Sequence, residues 1–160
     1  MTSLTQKRLR ELLDYNPRTG VFTWRDNQIG PIKAGMRAGT IDKLGYCYIK
    51  IAQKSYPASG LAFLWMDGQR PREVDHINRN PRDNRWKNLR IATRSQQMGN
   101  SRGRTILPKG VHKLTNGRFR AGLHINDRFI YLGNFSTPEE ASAAYMKAAQ
   151  KYFGEFARAF

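Results

Sequence analysis

Asp75-His76 is followed along the chain by Asp83-Asn84-Arg85, by Asn88-Leu89-Arg90 and by Thr93-Arg94-Ser95-Gln96-Gln97. Hydrolysis of a phosphodiester needs a base to activate water and a hard cation to hold phosphate and steady the leaving oxygen. Within this run His76 supplies an imidazole that titrates near neutrality, and Asp75 a carboxylate ligand. Neighbours on a strand point to opposite faces, so the two serve one centre only at a strand end or in a loop, which the polar stretch 78–87 permits. A second oxygen ligand would come from the next helix. Gln97 and Asn100 lie i and i+3 on one face of it, and both stay open. An isolated Asp-His pair is more often a surface hydrogen-bond pair; the succession of polar pieces after it carries the specificity.

These side chains need a frame. Brief strands are predicted at 74–77 and 89–92, either side of the Asn- and Arg-rich loop. Thr93 and Gln96 then form a capping box that opens a helix, and 99–103 reads as a linker. Upstream, Thr2 or Ser3 caps an opening helix whose stripe is Leu9, Leu12 and Leu13. Residues 16–20 form a turn, 21–24 and 46–51 form strands, and the apolar run 58–66 forms a buried helix. Downstream, Phe119, Ala121, Leu123 and Ile125 alternate with Arg118, Arg120, Gly122 and His124, which predicts a half-buried strand with a basic face. Asn126-Asp127 turns the chain, and Phe129 and Tyr131 then face away from Ile130 and Leu132. Thr137-Pro138-Glu139-Glu140 starts a final helix with cap, N1 proline and N3 glutamate in place. Ala141, Ala144, Tyr145, Ala148 and Tyr152 keep helical spacing along it, and Gly154 stops it.

The 160 residues carry 28 Lys and Arg against 12 Asp and Glu, a formal charge of +16. The excess is spread as +6, +4 and +6 over residues 1–65, 66–100 and 101–160, so it is no basic tail. A field of one sign on every segment calls for a polyanion, and nucleic acid is the commonest. Few aromatic side chains are expected at the surface beyond Phe129 and Tyr131, which favours duplex DNA over single-stranded RNA. A single cysteine and three scattered histidines exclude a disulfide framework and a structural zinc site. With no apolar run long enough to span a bilayer and no apolar leader, the expectation is a soluble, cytoplasmic protein that does not enter membranes and acts as a monomer on double-stranded DNA.

The pieces Asp75-His76-Ile77-Asn78, Asp83-Asn84-Arg85, Asn88-Leu89-Arg90 and Ala92-Thr93 resemble a branch of the HNH endonucleases, found in homing-type and phage proteins. That resemblance implies a ββα-metal unit with His76 as general base, Asp75 as metal ligand and Asn88 bracing the loop and the His strand. Mg2+, or Mn2+, would be the cofactor. The helix ligand of the family falls at Gln97 here, where an Asn or His is usual, with Asn100 one turn later. Lys109-Gly110-Val111, 117–121, 131–135 and 137–141 resemble the AP2 DNA-binding domain, which lays a three-stranded sheet in the major groove. DNA contacts are then expected from Lys109, His112, Lys113, Arg118, Arg120, His124, Phe129 and Tyr131, with Arg85, Arg90 and Arg94 from the nuclease segment. Residues 1–65 resemble the amino-terminal part of two-module phage HNH proteins, although Ser59-Gly60 stands where such relatives commonly carry His-Arg. The implied fold class is α+β: an amino-terminal α+β region over 1–65, a nuclease motif and linker over 66–103, and an AP2-like sheet with one packed helix over 104–160. The implied activity is metal-dependent hydrolysis to 5′-phosphate and 3′-hydroxyl ends. The rival is a catalytically inactive DNA-binding regulator derived from such a nuclease.

Overall fold

A computed structural model describes residues 4–101 and 106–159. The chain divides into two compact units, Met1–Ile91 and Ala92–Phe160.

In the first unit, α1 (Gln6–Leu12) is capped by Thr5, whose Oγ1 accepts from the Arg8 amide at 3.2 Å. Thr5 displaces the predicted caps; Thr2 and Ser3 lie outside the described residues. β1 (Leu13–Asn16) and β2 (Val21–Trp24) form an antiparallel hairpin closed by the 16–20 turn. β3 (Thr40–Ile41), β4 (Cys47–Ile51) and β5 (Lys54–Pro57) form a second antiparallel sheet in that order. α2 (Ala58–Asp67) is buried from Ala58 to Leu64 without a polar stripe, so it acts as the filling of the core rather than as a surface helix. Leu9, Leu13, Phe22 and Ile49 share one core with its Leu61. β6 (Val74–His76) pairs antiparallel with β7 (Leu89–Ile91), joined by the polar loop.

The second unit opens with α3 (Arg94–Asn100), which Thr93 and Gln96 cap reciprocally. The helix continues through Gly99 and Asn100, where a linker was predicted, because both are buried. Residues 102–105 of that linker lie outside the described residues. β8 (Val111–Lys113), β9 (Phe119–Ile125) and β10 (Arg128–Phe135) form an antiparallel sheet with β9 in the middle. Asn126 and Asp127 both take positive φ, +47° and +64°, the turn whose twist suits a two-residue hairpin. α4 (Pro138–Phe153) starts with the Thr137/Glu140 capping box and ends at Gly154. Its buried stripe is Ala141, Tyr145, Ala149 and Phe153. Tyr152, predicted to share that stripe, is 47% exposed, because the inward line continues through Phe153. Leu123, Phe156 and Ala157 complete this core.

The sequence groups the helix after Thr93 with Asp75 and His76, whereas compactness groups it with α4. The Phe153 ring packs on Gly99: a Cβ added there would lie 2.9 Å from Phe153 Cγ. Lys109 reinforces the arrangement, its ammonium donating to the carbonyls of Met98, Gly99 and Ser101 at the carboxyl end of α3. A cation at that end also faces the negative pole of the helix.

Candidate functional site

His76 ends β6, and the chain leaves the strand immediately after it. Leu89 stands opposite, and the Ile77 amide donates to the Asn88 carbonyl at 2.9 Å. The imidazole is 6% exposed. Its Nε2 lies 3.2 Å from Asn84 Oδ1, and the Tyr46 ring meets it edge-on with centroids 6.0 Å apart. With Nε2–H as donor to the amide oxygen, the basic lone pair of the ring sits on Nδ1. Burial pushes the imidazole pKa below its ordinary value, while the Asn84 hydrogen bond and the charges of Asp75 and Asp83 act in the opposite direction.

Asp75 lies opposite Arg90 across the two strands, and Arg90 Nε donates to its Oδ2 at 2.9 Å. Both side chains are nearly buried, 9% and 11% exposed. A buried carboxylate is tolerated only with such a partner. Arg90 therefore serves the carboxylate rather than standing out as a surface cation.

The loop between the strands is held by its own amides. Asn88 Nδ2 donates to Asn78 Oδ1 at 3.0 Å and to the Asp83 carbonyl at 2.8 Å, and its Oδ1 accepts from the Asn78 amide. One buried side chain thus ties the chain just after His76 to the far side of the loop. Asp83 accepts Arg85 in two parallel bonds, 2.7 and 2.6 Å, and Asn78 Nδ2 at 2.7 Å. These partners hold its carboxyl at about 2, below its ordinary 3.8. A depressed carboxylate stabilises the fold above the unfolded pKa and loses that contribution as pH falls through the folded one. Between about pH 4 and pH 2 the parent should therefore lose more thermal stability than Asp83→Asn, and scanning calorimetry across that window checks it.

The hairpin of the first sheet backs this loop. Tyr15 Oη donates to the Asn84 carbonyl at 2.7 Å, and the Trp86 amide donates to the Pro17 carbonyl at 3.0 Å. Burial, with Asp83 adding to it, pushes the Tyr15 phenol far above its ordinary pKa, so it remains a donor. Asn84, Tyr46 and Tyr15 had no role in the sequence reading. Asn84 was visible within Asp-Asn-Arg; Tyr46 and Tyr15 carried no local signal, because they reach the site from other sheets.

The remaining candidates fall in the second unit. Gln97 is half-buried on α3, whereas Asn100 is only 2% exposed, inside the core of its unit. Arg94 is exposed at the start of α3. Register places His112, Arg120, His124, Phe129 and Tyr131 on one face of the sheet, away from α4. Phe129 lies across Gly122, where a Cβ would come within 2.2 Å of its Cζ. Arg120 stands 5.7 Å from the ring centroid of Phe129, and the His124 ring 5.1 Å from it. Arg118 donates to the Asn134 carbonyl at 2.8 Å and remains exposed. Lys113 is different: it pairs with Phe119, so its register is that of the inward face. Lys109 is drawn into the α3 terminus, as described.

The family model described as HNH endonuclease covers the buried helix, both short strands, the loop and the start of α3. It matches residues 61–98. An uncharacterised HNH endonuclease of Acanthamoeba polyphaga mimivirus is 34% identical over 96 residues, 59% of this chain and 51% of that protein. The chain thus spans about half the length of this curated relative. No solved structure matches the chain. The HNH-like segment contains Asp75, His76, Asn84, Asn88, Arg90 and Gln97. Among the described residues, no helix is long and apolar enough to cross a membrane.

Proposed function

We propose that this chain is a divalent-metal-dependent DNA endonuclease of the HNH type, with His76 as general base. The observation that carries the reading is a buried imidazole at a strand end, oriented by Asn84 beside a loop that Asn88 ties together. Such a ring takes the proton of a water aligned on phosphorus. The attack expels the 3′ oxygen and leaves 5′-phosphate and 3′-hydroxyl ends. Asp75 and Gln97 offer carboxylate and amide oxygens, a hard donor set that suits Mg2+ or Mn2+ with most of its waters retained. Among the described residues, no group of three His, Cys, Asp or Glu side chains gathers for a metal. When bound, the cation supplies positive charge for the leaving oxygen. Arg90, which neutralises Asp75 in the structure, sets the contact that a cation must replace.

Targeting by the second unit is proposed on its exposed sheet face, where Arg120, His112, His124, Phe129 and Tyr131 present cations and rings of a kind that fits a major groove, in the manner of an AP2 domain. Double-stranded DNA is the proposed substrate, and a single copy of the chain the working form. The test is nicking of supercoiled plasmid with Mg2+, set beside His76→Ala. A chain that binds duplex DNA but never nicks it, with any divalent ion, would instead be a DNA-binding regulator derived from a nuclease.

The greater exposure of Gln97 favours it over Asn100 as the helix ligand in this reading. Gln97→Ala should lower the nicking rate about tenfold or more, with Gln97→Asn largely restoring it, since the same oxygen is presented. Asn100→Ala should act instead on stability, by about 1–3 kcal/mol, because it removes a buried amide side chain from the core. Nicking rates and thermal midpoints of the three variants distinguish these outcomes.

A further inference from the structure

The turn between β3 and β4 presents an unusual tip. Its carboxylate, Asp42, accepts the amides of both Leu44 and Tyr46 at 2.9 Å, and the Asp42 and Tyr46 backbones bond to each other. The turn is therefore stiff. Leu44 stands on it 76% exposed, at a place where turns ordinarily carry polar side chains. A solitary exposed leucine has no special meaning; this one has a fixed position relative to the imidazole. Next to it, the Gly45 backbone packs on the catalytic loop, so that a Cβ there would come 3.0 Å from Pro81 Cγ and 3.6 Å from Arg82 Nε. One residue further, Tyr46 touches His76 while remaining 40% exposed, and Ile77, next to His76 in the chain, is 37% exposed. Lys43 on this turn, and Arg79 and Arg82 on the loop against which Gly45 packs, are exposed.

The surface beside the base is thus apolar at its tip and cationic at its rim. Cations meet phosphates, but nothing in a phosphate backbone suits an exposed leucine. The face of a base does. We infer that Leu44 is a wedge that enters a base step beside the scissile phosphate, unstacking and kinking the duplex so that the phosphate reaches His76. A leucine held on a braced turn loses little freedom on insertion, which offsets part of the cost of unstacking. The inference rests on the nuclease reading for its location next to the cut. Flexible pyrimidine–purine steps would be preferred there, because they unstack most readily.

Insertion unwinds the duplex locally, and this can be read without cleavage. Closed circular plasmid saturated with the full chain is relaxed in EDTA by a topoisomerase that needs no metal, and topoisomers are separated on a gel. The parent and His76→Ala should both shift the distribution. Leu44→Ala and Leu44→Gln, saturating the plasmid by mobility shift, should lose most of that shift, about threefold or more, while Leu44→Met retains it. In the presence of Mg2+ the same two variants should nick about tenfold more slowly. Parent-like unwinding by Leu44→Gln, no unwinding by the parent, or loss of binding by Leu44→Gln at unchanged charge would each overturn the wedge. Leucine-dependent unwinding by a chain that never nicks would keep the wedge and overturn the nuclease; nicking with leucine-independent unwinding would do the reverse.

Discussion

His76→Ala should abolish detectable nicking while duplex binding stays within about twofold of the parent. A general base contributes about 100- to 10,000-fold to the reaction and acts on the transition state, not on ground-state binding. The ring is 6% exposed, beside the Asn84 amide and the edge of Tyr46, so its removal alters little of the molecular surface. Time courses on supercoiled plasmid, with a mobility-shift titration in EDTA, give both quantities. Nicking by the variant at the parental rate would remove His76 from the chemistry. Asn84→Ala is the companion, since Asn84 acts through the ring. It should slow nicking without weakening binding, and the ring 15N shifts of His76 should move from a single Nε2–H tautomer toward a mixture. A residue that only supported the loop would leave those shifts alone.

Gly20→Ala should destabilise the first unit by about 3 kcal/mol, a sum of about 1–2 for an alanine held at left-handed φ and about 1–3 for the clash. Gly20 has φ +73°, and a Cβ there would lie 2.3 Å from the Asn84 carbonyl carbon and 2.4 Å from the Arg85 amide nitrogen. Both obstacles are backbone atoms, which cannot swing aside as a flexible side chain would. Relief requires the loop to move, and the loop carries the amide that orients His76. Thermal unfolding should show the loss of stability, and the surviving folded fraction should nick more slowly than the parent. An unchanged midpoint would show that the turn and the loop are not in contact.

The amino-acid sequence by itself determined those elements whose physics is local. The capping boxes at Thr93 and Thr137 need only two side chains three residues apart, and both form. The alternation through 119–132 separates the exposed face of the second sheet from its buried one, because strand periodicity is a property of the backbone. Asp75, His76 and Asn88 were legible as a group because the loop that gathers them is short and its amides bond within it. Tertiary structure decided the rest. α3, most of which lies within the HNH-like segment 61–98, is also compact with α4 through Gly99 and Phe153, a contact between residues far apart in the chain. Lys113 was assigned to the DNA-facing side, but pairing with Phe119 gives it the opposite register, since strand order and register depend on the partner strand. Lys109 was read as a DNA contact, and only folding brings it to three carbonyls that need a donor. Tyr15, Gly20 and Tyr46 gave no chemical signal at all. They matter because hydrophobic burial around α2 assembles two separate sheets and sets their backbones against the loop of His76, and no spacing along a single strand records a long-range contact of that kind.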